Sequence, residues 1–362
     1  MLKKGVDTML CALIMAGGKG ERFWPLSTDE KPKQFLNLIN EDTMIQMTVK
    51  RIEKLIPIER IFVVTAKRYV NLVKEQLPYL PEKNIIIEPV GRNTAPCIAL
   101  SAFYINKIYP DAILAVLPSD HLIKDVETFI RTIDAANKFI EENKDAIVTL
   151  GIKPDRPETG YGYIKFKETK TIIDNFEIKE VEKFVEKPDK QTAQNYIDEG
   201  TYLWNAGMFI WKATTILKYT YKFLPQTFEV LSEVAATNEE DFEEVLNEKY
   251  PTVDNISVDY AIMEKADKIY VIPSDFGWDD VGTWTSLERY REKDEMGNIV
   301  KGNVIYVDSS NNTIISNTKK IILLGLKDCI IVENNDVILI SSKEKVNQIK
   351  DLKYICVGDK VV

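Results

Sequence analysis

Histidine is almost missing from this chain: His121 is the only one in 362 residues. A Ser-His-Asp arrangement could centre only on it, and no G-x-S-x-G elbow accompanies it. Cysteine is also scarce. Cys11, Cys97, Cys329 and Cys356 lie far apart with no C-x-x-C pair, which argues against a zinc knuckle or a redox motif. Cys11 and Cys97 sit in apolar runs and read as buried thiols, a usage that fits a reducing, cytoplasmic compartment. Positive charge is in deficit. The formal net charge of −9 excludes the broad basic face that nucleic-acid binding needs, but not a small anionic substrate held by local charge.

Long apolar runs are absent, so no membrane span is expected. The run Met9 to Ala16 follows Lys3-Lys4 and faintly imitates a signal peptide. It is only eight residues long, follows Asp7 and feeds a glycine cluster. It reads as the first buried strand, with a disordered lead before Met9. No low-complexity segment occurs. With 45% hydrophobic and 28% charged residues, the composition is that of an ordinary globular protein long enough for two domains.

What is present begins with Met15-Ala16-Gly17-Gly18-Lys19-Gly20-Glu21-Arg22, followed by Lys31-Pro32-Lys33-Gln34-Phe35. Glycines without Cβ let backbone N–H groups close on a phosphate, and Arg22 and Lys33 add positive charge. The loop is neither a Walker A sequence nor a G-x-G-x-x-G fingerprint. A tight turn after a strand is the plain alternative.

Apolar runs at Leu10–Met15, Ile61–Thr65, Ile85–Glu88, Ile113–Leu117 and Ile147–Leu150 alternate with helical patterns. The helices fall near Thr43–Leu55, Lys67–Leu77, Ala95–Ile108 and Val126–Asn143. This predicts an α/β fold: a Rossmann-like, mostly parallel sheet with helices on both faces, binding ligand at the carboxyl ends of its strands. Segments near Ile178–Glu186 and Met208–Trp211 suggest an antiparallel insert. A helical stretch from Ala213 to Glu248 and a short helix at Val258–Lys265, N-capped by Ser257, follow. From Gly297, short β-branched runs (Val304–Val307, Thr313–Ile315, Ile321–Leu324, Ile330–Val332, Val337–Ile340) predict a small all-β, β-helix-like module, with a last helix over Lys343–Leu352. The expected domains are 9–292 and 297–362. The β-rich tail either caps the first domain or builds a homodimer contact.

Two segments place carboxylates after apolar strands. Asp120, in Leu117-Pro118-Ser119-Asp120-His121, is either a Mg²⁺ ligand or a turn or cap residue. Asp280, within Phe276-Gly277-Trp278-Asp279-Asp280-Val281-Gly282-Thr283-Trp284, is either a second metal carboxylate or part of a capping turn before a helix near Gly282. Glu186-Lys187 before Pro188 offers a phosphate-binding cation and a hydroxyl acceptor, or a surface ion pair. Asn205 beside Gly207 and Trp204 offers donor and acceptor to a sugar ring, or a packed strand-edge turn. In Gly91-Arg92-Asn93-Thr94-Ala95-Pro96, Thr94 reads as an N-cap, while exposed Arg92 and Asn93 could border a purine.

Together these segments resemble the sugar-nucleotide pyrophosphorylases, and among them the mannose-1-phosphate guanylyltransferases. The resemblance covers Leu10 to Trp284 through AGGKGERFWPLS, KPKQF, GRNTAP, LPSDH, GYGYI, FVEKP, WNAGMF, SVDYAIMEK and WDDVGTW, in that order. It implies that Gly17, Gly18, Gly20, Arg22 and Lys33 hold a triphosphate and that Gly91, Arg92, Asn93 and Thr94, with Pro118 and Ser119, complete the nucleotide site. Asp120 and Asp280 would bind Mg²⁺. Tyr161, Gly162, Glu186, Lys187, Asn205 and Gly207 would form the sugar-phosphate pocket. The implied reaction joins GTP and mannose 1-phosphate to give GDP-mannose and pyrophosphate, with Arg22, Lys33, Asp120 and Asp280 acting on the phosphates. Alternatives are the same chemistry on another nucleotide and sugar phosphate, or a silent nucleotide-sugar sensor. Some relatives of this kind carry a fused isomerase domain with clustered histidines, an activity not expected beside a single histidine.

Overall fold

The computed structural model describes residues 9–18, 20–335 and 337–352. The lead before Met9 and Cys356 lie outside them. By contact, the described chain forms two compact units, each discontinuous in sequence. The first gathers residues 9–17, 49–118 and 123–278; the second gathers residues 18–48, 119–122 and 279–352.

The first unit is built on nine strands: β1 (Leu10–Met15), β2 (Ile61–Ala66), β3 (Ile85–Glu88), β4 (Ile113–Pro118), β5 (Ile147–Ile152), β6 (Tyr163–Ile173), β7 (Phe176–Val185), β8 (Tyr202–Lys212) and β9 (Ile269–Ser274). They form one sheet in the order β3-β2-β1-β4-β8-β5-β9-β7-β6. β1 to β4 run parallel, as do β5 and β9. Residues 10–14 of β1 are all buried, as expected of a parallel strand covered on both faces. Helix Thr94–Ile108 covers part of this core, and helix Val126–Glu142 is started by Asp125, whose carboxylate accepts from Thr128 N at 3.0 Å.

Two expectations change here. The segment Met208–Trp211 is no appended insert: β8 lies inside the sheet, antiparallel to both β4 and β5. Its apolar residues fit burial on both faces, which sequence alone cannot tell from a peripheral strand. The run Val258–Lys265 forms a π-helical turn over Asp259–Met263, although the Ser257 hydroxyl does accept from Tyr260 N at 3.4 Å. β9 was not anticipated, because its apolar run is broken by Pro273. The β6–β7 hairpin closes on Asp174 and Asn175, at φ 48° and 70°, the left-handed pair that a two-residue hairpin turn requires.

The second unit carries six short strands: β10 (Ile299–Lys301), β11 (Val304–Val307), β12 (Thr313–Ser316), β13 (Ile321–Leu324), β14 (Cys329–Asn334) and β15 (Val337–Ser342). β10, β12 and β14 stack in parallel, as do β11 and β13, and β15 closes antiparallel on β14. The β11–β13 and β12–β14 rungs are offset by 17 residues and the β10–β12 rung by 14; across one 17-residue step the Asn311 amide donates to Asp328 and Cys329 N donates to Asn312 Oδ1 at 2.9 Å. Ile314, Leu323 and Ile331 form the interior of this β-helix-like coil. A larger core joins Ile315, Ile330 and Val332 to Phe23, Leu36, Val281 and Trp284. The expected last helix over 343–352 is present, beginning as a 3-10 segment over Lys343–Gln348 and continuing as an α-helical turn over residues 349–352. The expected helix near Gly282 is a 3-10 turn, Trp284–Arg289, held by a capping box on Thr283.

Candidate active site

In the second unit Gly20, Arg22, Lys33, Asp120, Asp280 and Gly282 line one cavity of about 370 Å³. The glycine loop enters a 3-10 turn, Glu21–Phe23, where Phe23 is fully buried edge-on to Trp284 with ring centroids 5.1 Å apart. That anchor fixes the backbone from which Arg22 projects. Gly20 has φ 58°, and a Cβ there would overlap Lys33, so the turn itself needs this glycine. Gly18 is different: a Cβ on it would meet nothing within 4 Å. At Gly17 a Cβ would make only ordinary contact, 3.7 Å from Glu88 Oε2. A plain turn therefore accounts for Gly20 alone. Gln34, buried and unassigned in the sequence reading, donates from Nε2 to Gly18 O at 2.9 Å.

Lys33 is buried, and its Nζ donates to Asp120 Oδ2 at 2.9 Å and to the Asp280 carbonyl at 2.6 Å. Burial works to raise the Asp120 pKa, but the Lys33 charge, His121 and the Lys33 hydrogen bond outweigh it and hold the carboxyl below its ordinary value. Asp120 caps no helix, since Asp125 does that. Ser119 is buried, and its carbonyl accepts from Thr48 Oγ1 at 3.1 Å. Asp279 and Asp280 part company. Asp279 is buried and accepts from Val281 N at 2.7 Å, Arg289 Nε at 3.0 Å and Tyr290 OH at 2.7 Å. The Asp280 carboxylate turns toward Gly282, where a Cβ would lie 2.8 Å from its Oδ2 and 3.4 Å from Arg22 Nη1. Gly282, not singled out from sequence, keeps that space open.

In the first unit, the expected base-bordering segment lies between β3 and helix Thr94–Ile108. The N-cap is Asn93, at φ 66°, accepting from Thr94 N at 2.9 Å. Thr94 instead accepts from Val258 N through Oγ1 at 2.8 Å. Arg92 is only half-exposed: its guanidinium donates to the Pro251 carbonyl and its Nε is buried. Gly91 has open space around it. Glu88, at the end of β3, is buried and accepts from Tyr250 OH at 2.7 Å and Arg92 N at 3.1 Å through Oε1. Burial raises its pKa. Pro118 ends β4 in the same unit.

A second polar cluster of the first unit gathers Gly162, Glu186, Asn205 and Asp259. Asn205 N donates to Gly162 O at 2.8 Å, its Nδ2 donates to Asp259 Oδ1 at 2.9 Å, and Gly207 N donates to its Oδ1 at 3.0 Å. A Cβ at Gly162 would stand 2.5 Å from Glu186 Oε2, so a side chain there would move that carboxylate from its place. Lys187, at φ 45°, donates to Glu186 Oε1 at 2.5 Å while its side chain stays 59% exposed. Tyr161 packs edge-on to Trp204 and Trp278, both at 5.2 Å. Asp259 was not assigned from sequence. Burial, then the Glu186 charge, pushes its carboxyl up to about 6. Its signal was the SVDYAIMEK block, which carried no residue-level role.

Among the described residues no three metal-ligating side chains cluster, and no helix is long and apolar enough to cross a membrane. The nucleotidyl transferase family matches residues 11–297, and the "MannoseP isomerase/GMP-like beta-helix domain" matches residues 302–353. The chain is 39% identical to mannose-1-phosphate guanylyltransferase 2 of Escherichia coli O157:H7, an alignment covering 96% of this chain and 73% of that protein. It is 40% identical to the mannose-1-phosphate guanylyltransferase of Salmonella montevideo, over 95% and 73%. A Thermus thermophilus structure described as a mannose-1-phosphate geranyltransferase superposes with a TM-score of 0.85 at 31% identity, covering 97% of this chain and all of that one. With the mixed, largely parallel sheet, the glycine loop and the β-helix-like module in place, the chain belongs to the nucleotidyl transferase family, in the group of the mannose-1-phosphate guanylyltransferases.

Proposed function

We propose that this enzyme transfers GMP from GTP to mannose 1-phosphate, releasing pyrophosphate and GDP-mannose. The observation that carries the reading is the cavity where Arg22, Lys33, Asp120 and Asp280 converge, in a chain whose relatives bear the guanylyltransferase name. The sugar phosphate has a second pKa of about 6 and is largely ionised at neutral pH. Its oxygen attacks the α-phosphorus in line without a general base, consistent with the single histidine. Catalysis then rests on positioning and charge.

Arg22 meets the charge that builds on the phosphates. Lys33 orients Asp120 and adds its own charge. Two carboxylates on one cavity suit Mg²⁺, which takes its remaining ligands from phosphate and water. Held by Asp120 and Asp280, the ion would supply further neutralisation of phosphate oxygens. Glu186, Asn205 and Asp259 offer acceptors and donors to sugar hydroxyls, and Lys187 offers a cation to the sugar's phosphate. Buried free thiols at Cys11 and Cys97 are consistent with a cytoplasmic setting.

The deciding experiment is a pyrophosphate-release assay with GTP, ATP, UTP and dTTP against mannose 1-phosphate and glucose 1-phosphate. The expected outcome is a clear preference for GTP with mannose 1-phosphate. Preference for another pair would reassign the substrates. GDP-mannose binding without turnover on any pair would mark a sensor.

A further inference from the structure

One residue of the second unit joins this cavity from a distant part of the sequence. Lys350 lines it together with Arg22, Lys33, Asp120 and Asp280. Its segment is anchored: Val346 and Ile349 are sunk in the core that also holds Phe23, Val281 and Trp284. Ile349 is 1% exposed while Lys350, the next residue, is exposed. The backbone is therefore held in the core one residue before a lysine that lines the cavity.

Charge makes the position matter. Among the described residues, and apart from Lys350, the ionised side chains lining the cavity are Arg22 and Lys33 against Glu21, Asp120 and Asp280, two cations against three carboxylates. Lys33 is moreover committed to Asp120 and to the Asp280 carbonyl. A polyphosphate carrying several negative charges gains from more cations than that balance provides, and Lys350 is a further cation on the wall. We propose that Lys350 is a polyphosphate-binding residue, contacting the β- and γ-phosphates of the nucleotide and the pyrophosphate that leaves. On this view the β-rich C-terminal module contributes a side chain to the phosphate site. The inference rests on the nucleotidyl-transfer reading above.

The test is calorimetric titration of the full chain with inorganic pyrophosphate in the presence of Mg²⁺, on wild type, Lys350→Met and Lys350→Arg. Losing one charge-assisted contact is expected to weaken binding about 10-fold in Lys350→Met. Lys350→Arg should restore most of it. The gap between wild type and Lys350→Met should narrow as salt is raised. In turnover, KM for the nucleotide should rise while KM for the sugar phosphate stays put, with an unchanged melting temperature. Pyrophosphate affinity in Lys350→Met equal to that of wild type overturns the assignment and leaves the parent reading intact. Wild type that binds no pyrophosphate overturns the parent reading instead. A Lys350→Met protein that melts early with both KM values raised would mark Lys350 as structural and also overturn the assignment.

Discussion

Asp279 and Asp280 are neighbours in the chain, yet their carboxylates meet different partners, and substitution separates them. Asp279→Asn removes the acceptor shared by Arg289, Tyr290 and Val281 N. Because Arg289 keeps 43% of its side chain exposed, the expected loss is about 1–3 kcal/mol rather than the full cost of a buried ion pair. Thermal or denaturant melting measures it. Asp280→Asn and Asp120→Asn should each lower turnover on the order of 10²-fold, the scale of losing a charge-stabilising group, and Asp120→Asn should also cost stability, because it takes the charged partner from buried Lys33. Near-normal turnover in either variant would remove that carboxylate from the mechanism. Asp259 makes a pH prediction. Its folded pKa of about 6 lies above the ordinary 3.8, so between those values the native state binds more protons than the unfolded chain. The stability it contributes is present at low pH and is lost as pH rises through about 6. Asp259→Asn should flatten that slope in melts taken across the window. An unchanged slope would show that another group titrates there.

At the scale of elements, the β6–β7 pair and β8 bring Gly162, Glu186 and Asn205 together, and a Cβ at Gly162 would stand 2.5 Å from Glu186 Oε2. Gly162→Ala must shift the Glu186 carboxylate, while Asn205 stays at ordinary contact distance. KM for the sugar phosphate should rise several-fold or more, while nucleotide KM stays within about twofold. The coil of the second unit carries its own electrostatic pin. The Glu333 carboxylate accepts from Asn317 N at 2.9 Å, Thr318 N at 2.8 Å, Lys319 N at 3.1 Å and Thr318 Oγ1 at 2.7 Å. These donors, the Thr318 backbone first among them, hold its pKa at about 2. The group is depressed, so its contribution is present above the ordinary value near 4.5 and is lost as pH falls toward 2. Glu333→Gln should therefore melt earlier at neutral pH and converge with wild type in acid. The strands themselves were largely legible, because short β-branched runs broken by Gly, Asn and Asp leave few other conformations. Helix ends were less so. Asn93, not Thr94, caps its helix because the chain turns through a left-handed residue there, and no local pattern announces that.

For the molecule as a whole, each compact unit draws on separated stretches of chain. Arg22, Lys33, Asp120 and Asp280 belong to the second unit, and Gly162, Glu186, Asn205 and Asp259 to the first. A nucleotide that binds only the folded protein must raise its stability. GTP with Mg²⁺ at about 100 times its Kd should add roughly 2.7 kcal/mol, read as a shift in melting temperature that Arg22→Ala reduces. No shift at saturating GTP would count against the proposed substrate.

The amino-acid sequence by itself determined the strand and helix alternation, the glycine loop, the carboxylate positions and the family resemblance. Those features are local, written in hydrophobic period and in residue types a few positions apart. Only the tertiary structure decided which of two adjacent aspartates faces the cavity, that β8 lies within the sheet, that Asp259 meets Asn205, and that Lys350 reaches the residues around Asp120. Each of these depends on contacts across tens to hundreds of residues, where burial and the approach of distant charges set what a side chain can do.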